Sequence, residues 1–312
     1  MNGLQLSREY FFQIAEPLLK RDFPSLYPRL AAGLAGNGSE CFGYDDDISR
    51  DHDWGVDFYI WTTDGDRDSI PALAEWKNEL FKKSPPRFTR ARSAYGARVG
   101  VMTGGDFYSG LIGTPQCPKT LNEWIRAPEE NFAMAVNGEV FIDNAREFSG
   151  TRDALLDYFP EDLRLKRMAA KCMGLAQAGQ YNHERMALRK DWVTLRSVLT
   201  RYTDNAVAMV FLLNKVFRPY YKWAYRALTE LPVLGCETAR LLLKIAEAGA
   251  LDDASLRLRQ RYINELCAIF AREFRARGLS HSDDWFLASH GEEIQNGIKD
   301  GFLRALPAQY DI

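Results

Sequence analysis

The sequence predicts an α/β or α+β domain with a mixed sheet over residues 1–150, followed by an all-α helical bundle over residues 151–312. Up to residue 150, short apolar runs alternate with segments rich in Gly, Pro and Asp, and helical patterns separate the strand-like runs. After residue 150, nearly every segment repeats its apolar residues with helical periodicity. A length of 312 residues, with 46% hydrophobic and 26% charged residues, is typical of a globular protein of about two domains.

The elements of the first half follow from periodicity, turn residues and side-chain type. Amphipathic patterns predict helices at residues 7–19, 26–34 and 69–83. Aromatic and β-branched runs predict strands at residues 53–62, 98–103 and 139–143. A Gly-rich turn follows the second helix, and Asn137-Gly138 forms a turn before the last strand.

The second half consists of helical patterns that are separated by Pro and Gly. The predicted helices are residues 151–158, 161–179, 185–213, 220–231, 237–248, 252–277 and 283–305. This pattern predicts a domain without strands, and we expect the active cleft to lie between the two domains.

Charge and cysteine usage restrict the class of protein. The 40 Lys and Arg residues nearly balance the 42 Asp and Glu residues, which argues against a protein that coats nucleic acid. The five cysteines are scattered without zinc-ligand spacing, which predicts free thiols. No signal peptide or membrane-spanning run is recognisable, so we expect a cytoplasmic protein.

The segment with the clearest chemical pattern is GSECFGYDDDISRDHDWG, residues 38–55. A Gly38-Ser39 turn offers backbone N–H groups and a hydroxyl, which suit a phosphate. Asp51 and Asp53 stand two residues apart at the predicted start of a strand, so their carboxylates share one face. Two such carboxylates repel each other unless a cation lies between them, and Mg²⁺ prefers oxygen ligands. The pattern predicts a site for a metal ion and a phosphorylated substrate. An isolated Asp-x-Asp is more often a solvated turn, but the Gly-Ser turn upstream and the strand downstream favour the site.

These residues resemble the signature of the polymerase-β-type nucleotidyltransferase superfamily: Gly-Ser, about ten residues, then Asp-x-Asp on a strand. The whole segment is similar to an uncharacterised bacterial family within it, as are the strings VFIDNAREFS, YFPEDLRLKRMAAK, AQAGQYN and LNKVFRPYYKW. The resemblance implies that Gly38 and Ser39 contact the phosphates of a nucleoside triphosphate and that Asp51 and Asp53 bind Mg²⁺. It implies transfer of a nucleoside monophosphate to an acceptor hydroxyl, with release of pyrophosphate. A small hydroxylated molecule is the favoured acceptor.

One departure from the superfamily pattern leaves alternatives open. Active members place a third carboxylate on a neighbouring strand, where this chain has Gly100. The substitutes for it are Asp57, Glu139 and Asp143. The chain could therefore be a degenerate protein that binds a nucleotide without turnover. A third hypothesis is a toxin–antitoxin-type enzyme that modifies tRNA or protein, although the near-neutral charge argues mildly against it.

The helical half contributes one further candidate group, at a predicted helix–helix junction. Arg218 and Lys222 could pair with phosphates, and Tyr221 could stack on a base. An amphipathic junction with buried rings and extended cationic side chains is an equally good interpretation.

Overall fold

The structure is a computed structural model that describes residues 2–51, 54–88 and 99–312, with Arg50 and Asp51 described by their backbone alone. The chain divides into two compact units, Met1–Tyr158 and Phe159–Ile312. The division follows the helix Glu147–Leu156, which a boundary at residue 150 would cut. The first unit is α+β and the second is helical.

A small mixed sheet lies in the first unit. Its strands, in the described residues, are β1 (Ala31–Leu34), β2 (Tyr59–Thr62), β3 (Val101–Thr103) and β4 (Glu139–Asp143). Their spatial order is β3-β2-β1-β4. Strand β1 pairs antiparallel with both β2 and β4, whereas β2 and β3 are parallel.

The sheet has two ends, which the strand register defines. Leu34, the last residue of β1, pairs with Glu139, the first residue of β4. Strands β2 and β3 also begin at this end of the sheet, which we call the signature end. Ala31 pairs with Trp61 and with Asp143 where β1 begins, and we call that the cavity end.

Helices cover the sheet and complete the first unit. They are α1 (Gly3–Tyr10), α2 (Glu16–Asp22), α3 (Ile70–Lys82), α4 (Gly104–Ile112), α5 (Leu121–Trp124), α6 (Glu129–Val136) and α7 (Glu147–Leu156). A π-helical segment, Phe11–Ala15, joins α1 to α2 without a break. Aromatic rings fill the interior, and the Trp61 and Phe148 rings stack with centroids 3.8 Å apart.

Two sequence-based predictions for this unit are wrong. Residues 26–34 form a short 3-10 turn followed by β1, not a helix. All four residues of β1 are buried, and so short an apolar run shows neither a helical nor a strand period, which explains the wrong prediction. The strand predicted from residue 53 begins only at Tyr59. Helix α3 and strand β4 are confirmed within one residue or two.

The described residues of the second unit, 159–312, form helices and no strands. They are α8 (Glu161–Leu175), α9 (His183–Arg189), α10 (Trp192–Asn214), α11 (Tyr221–Leu228), α12 (Gly235–Glu247), α13 (Asp253–Ala276), α14 (Leu287–Asn296) and α15 (Gly301–Ala305). Helix α8 packs against α10 and α14. None of the described helices has both the length and the apolar content that a membrane span needs.

Three predicted helices of this unit differ clearly from the structure, and the one predicted over residues 283–305 is two helices, α14 and α15. Helix α8 does not end after Gly179 but continues through a π-helical segment, Ala176–Asn182, into α9. The helix predicted over residues 185–213 is interrupted at Lys190, whose φ is 56°. Asp191 then caps α10 by accepting a hydrogen bond from the backbone N–H of Thr194, at 3.1 Å.

Candidate functional site

Gly38 and Ser39 lie in the loop that follows β1, at the signature end of the sheet. Gly38 has a φ of 134°, a conformation that favours glycine. The carbonyl oxygen of Ser39 accepts from the backbone N–H groups of Phe42 and Tyr44, at 3.2 and 2.9 Å. Two of the predicted site residues therefore belong to one tightly turned loop.

The loop is fastened to the start of β4 by an amide side chain. The backbone N–H of Gly36 donates to Asn137 Oδ1 at 2.7 Å, and Asn137 Nδ2 donates back to the carbonyl of Gly36 at 2.8 Å. This reciprocal pair satisfies both backbone groups of Gly36 and holds the loop in place against the sheet.

From the sequence, Glu40 could either add to the acidic site or serve as a turn residue, and the turn is the favoured interpretation. Its side chain is only 4% exposed, although it follows Ser39 directly in a surface loop. A Cβ atom added to Gly38 would lie 2.7 Å from Glu40 Oε2, so this carboxylate covers the glycine. An acidic residue directly after a Gly-Ser turn was the available signal. It was not decisive because acidic residues in such turns are usually solvated.

Asp45 forms a second fixed carboxylate in this loop. Its Oδ2 atom accepts from the backbone N–H of Gly3 at 2.7 Å and from Trp54 Nε1 at 2.9 Å. A carboxylate at the first turn of α1 is favourable because the helix dipole is positive there. The contact links the loop to α1 and to the segment that leads into β2.

Asp51 is the last residue of a 3-10 turn, Ile48–Asp51, and Asp53 lies outside the described residues. The prediction that Asp51 begins a strand is wrong. Asp46 Oδ1 accepts from the backbone N–H and the hydroxyl of Ser49, at 2.9 and 3.0 Å. Such local hydrogen bonds stabilise a turn in competition with an extended chain. Strand β2 begins only at Tyr59, so Asp51 is not part of it. The expected alignment of the two carboxylates on one face of a strand therefore does not follow from β2.

The substitutes for a third carboxylate occupy different places. Asp57 forms an ion pair with Lys77, with 2.6 Å between Oδ1 and Nζ. Glu139 lies at the signature end, where it pairs with Arg8 at 2.7 Å. Asp143 lies at the cavity end and accepts from the backbone N–H of Ser149 in α7, at 2.6 Å. Of these three residues, Glu139 lies nearest to the end of β1, because it pairs directly with Leu34.

Gly100 lies directly before β3, and its carbonyl accepts from the backbone N–H of Ile60 at 3.2 Å. A Cβ atom built on Gly100 meets nothing within 4 Å in the described structure. The position therefore has room for a side chain, although the native chain has none there.

Arg218, Tyr221 and Lys222 lie before and at the start of α11 in the second unit. Arg218 forms an ion pair with Asp204 at 2.5 Å, and Tyr221 is 75% exposed. Both line a largely apolar cavity of about 730 Å³ within this unit. Lys222 Nζ instead lies 4.9 Å from the centroid of the Trp223 ring. The structure thus brings Arg218 and Tyr221 to one cavity.

Comparison with known proteins gives one partial match. Residues 124–224, about a third of the chain, are similar to a domain of unknown function (DUF4037). The matched segment includes Arg218, Tyr221 and Lys222 but none of Gly38, Ser39, Asp51 and Asp53. No curated protein and no solved structure matches the chain.

Proposed function

We propose that this protein is a Mg²⁺-dependent nucleotidyltransferase that transfers a nucleoside monophosphate from a nucleoside triphosphate to the hydroxyl of a small molecule. The acceptor oxygen would form a bond to the α-phosphorus, while the bond from that phosphorus to the bridging oxygen breaks. Pyrophosphate leaves, and the hydroxyl proton passes to water. The acceptor class rests on the resemblance in sequence.

The observation that carries the proposal is the spacing of Gly38-Ser39 and Asp51-x-Asp53 in the one connection between β1 and β2. In this proposal the Gly38-Ser39 loop donates hydrogen bonds from its N–H groups and hydroxyl to phosphate oxygens. Asp51 and Asp53 would hold Mg²⁺, which neutralises charge on the phosphates when bound.

A hard cation is part of the proposal because the loop carries a carboxylate next to the proposed phosphate position. The Glu40 carboxylate lies over Gly38, so a phosphate bound there would meet a negative charge. A divalent cation removes this repulsion because carboxylate and phosphate oxygens are both ligands that Mg²⁺ prefers. Arg218, Tyr221 and Lys222 are proposed to contact the nucleotide, and alanine variants should raise KM.

The test is label transfer from α-labelled nucleoside triphosphates in the presence of Mg²⁺ and the small-molecule fraction of a cell extract. Asp51→Asn and Asp53→Asn should each reduce transfer by roughly a hundredfold or more, as expected for loss of a group that stabilises transition-state charge. Asp47→Asn is the matched control, because Asp47 is an exposed acid in the same loop and should leave transfer unchanged. Transfer that survives in Asp53→Asn would refute the metal assignment, and label that appears on RNA would favour the tRNA-modifying hypothesis.

Gly100 favours a second candidate, a protein that binds a nucleotide without turnover. Tight binding of Mg²⁺–nucleoside triphosphate with no transfer to any fraction would support it. Gly100→Asp is informative because the position is open. If the native chain is degenerate for lack of this carboxylate, the variant should gain measurable hydrolysis or transfer.

A further inference from the structure

The largely apolar cavity within the second unit has a volume of about 730 Å³. It is bordered by the helices α10, α11, α12 and α13 and by the loop that joins α12 to α13. Helix α10 packs against α11 and α12, and α12 packs against α13, so the cavity lies among helices that hold one another in place. Its volume is in the range of small-molecule sites in proteins.

Apolar side chains around this cavity are exposed to solvent. The large exposed residues of the lining are Tyr221, Tyr225, Leu243 and Leu251. Buried aliphatic residues, among them Leu195 and Leu242, belong to the same lining. Scattered exposed apolar side chains need no explanation, but a group that borders one concave surface indicates a site for an apolar molecule.

The charged groups of the lining are three guanidinium groups and one carboxylate: Arg196, Arg218, Arg259 and Asp204. Arg218 and Asp204 form an ion pair at 2.5 Å, so their charges are matched. Arg196 and Arg259 form no ion pair with any residue that the structure describes. The lining therefore has an excess of positive charge, which attracts an anion and repels a cation.

Arg259 differs from the other two arginines because its side chain is only 2% exposed. Its Nε atom donates to the carbonyl of Ala248 at 3.1 Å, and Nη2 donates to the carbonyls of Ala248 and Ala250. These two residues flank Gly249, which lines the cavity, so the guanidinium group lies at the cavity wall. Its remaining nitrogen, Nη1, has no hydrogen-bond partner within residues 2–51, 54–88 and 99–312.

The charge of Arg259 is only partly balanced by the protein. Ala248 follows the last residue of α12, and a helix C-terminus carries about half a negative charge. Asp252 acts on the guanidinium group electrostatically, but its carboxylate is held by Ser255, whose backbone N–H and hydroxyl each donate to it at 2.9 Å. A buried cation without a paired carboxylate is costly, so a carboxylate from a ligand would stabilise it.

We infer that this cavity is a ligand site for a small amphipathic anion, a molecule with an apolar body and one carboxylate group, such as a medium-chain fatty acid. Arg259 and Arg196 supply the charge that attracts the carboxylate. Leu195, Leu242 and Leu243 remove the apolar body from water. An inorganic anion would leave this aliphatic lining uncovered. The site lies within the second unit and does not depend on nucleotidyl transfer.

The test is isothermal titration of the full chain, without nucleotide, with decanoate and with decyltrimethylammonium, both below the concentrations at which they form micelles. The two probes have apolar chains of similar length and opposite charge. We expect one saturable decanoate site per chain and an affinity for the cation that is lower by roughly tenfold or more, because like charges repel. Acetate, which has the carboxylate without the chain, should not bind.

Two variants with matched controls locate the site. Ala246→Trp places a large ring in the cavity from an exposed position of α12 and should abolish decanoate binding. Ala276→Trp, at an exposed position of α13 outside the lining, should leave the affinity unchanged. Arg196→Gln should weaken decanoate binding severalfold, whereas Arg201→Gln, on the same helix and outside the lining, should not.

A pair of variants at Arg259 separates its charge from its contacts with Ala248 and Ala250. Arg259→Gln removes the charge and should weaken decanoate binding more than Arg196→Gln, because a buried charge is screened less than an exposed one. Arg259→Lys also loses the guanidinium contacts but keeps the charge, so it should retain most of the affinity. Thermal unfolding of each variant shows whether it is folded under the conditions of the titration.

Several results would overturn the assignment. They are the absence of saturable decanoate binding, equal affinity for the two probes, and equal loss in Ala246→Trp and Ala276→Trp. Equal loss in folded Arg259→Gln and Arg259→Lys would show that the charge does not attract the ligand. A native dimer that dissociates in Ala246→Trp would show that a second copy of the chain covers the cavity instead.

Discussion

The two ends of the small sheet in the first unit are built in different ways. At the signature end, Gly38, Ser39, Glu40 and Asp51 come from one connection between neighbouring strands, so the candidate site is a continuous stretch of sequence. At the cavity end, a cavity of about 630 Å³ is lined by residues from the segment before β1, the end of β2, the loop between α4 and α5, and α7. A continuous site can be recognised from sequence, whereas a composite one becomes visible only in the folded chain.

The largest expected effect concerns the ion pair beneath the signature end. Lys77 and Asp57 are 8% and 15% exposed, so Lys77→Met leaves a buried carboxylate without its cation. We expect a loss of about 3–5 kcal/mol in the free energy of unfolding, measured by urea denaturation. The double variant Lys77→Met/Asp57→Asn should recover most of it. Equal stability of the single and double variants would show that this pair does not anchor the end.

The next effect tests how closely β1 and the turn before β4 approach each other. Gly138 has a φ of 67°, and a Cβ there would overlap the carbonyl oxygen of Leu34. Gly138→Ala should therefore destabilise the fold by about 1–3 kcal/mol. Gly100→Ala is the matched control at the same end, because its Cβ meets open space and little change is expected. Similar unfolding midpoints for both variants would contradict this description.

A smaller effect of opposite sign is expected at the cavity end. Because the Thr62 hydroxyl has no partner in the described structure, Thr62→Val should raise the free energy of unfolding by about 1 kcal/mol. Thr63→Val is the control, since Thr63 Oγ1 donates to Asp66 Oδ2 at 2.8 Å and its loss should destabilise. A destabilised Thr62→Val would mean that the hydroxyl is already satisfied.

The smallest effect is a pH dependence, also at the cavity end. Hydrogen bonds from the Arg29 guanidinium lower the pKa of Asp66 to about 2, from an ordinary value of 3.8. The unfolded chain binds this proton more readily, so the stabilising contribution is complete above pH 3.8 and is lost as the pH falls towards 2. As the pH is lowered through this window, the thermal unfolding midpoint should fall less steeply in Asp66→Asn than in the native protein. Arg29→Met should flatten the profile in the same way, and an unaltered slope in both would refute the pairing.

Parts of the fold were predictable because they depend on local patterns. Helix α3 and strand β4 match their predicted spans, since amphipathic periodicity and a turn before an aromatic run are signals within the segment itself. The sequence predicts a helix in place of β1. The four residues of β1 are all buried between two neighbouring strands, so the run lacks the alternation of apolar and polar residues that indicates a strand. The extended chain predicted around Asp51 is instead a turn, since Asp46 and Ser49 bond to each other.

The sequence by itself determined an α+β half, a helical half and the signature of residues 38–53. Those features arise from residues close together in the chain, where side-chain period and turn chemistry act directly. The tertiary structure decided that Glu40 is buried against Gly38, that Asp143 lies at the opposite end from the signature and that a cavity exists there. Each depends on strand register and on helix packing, which join residues that are distant in sequence and which no local pattern encodes.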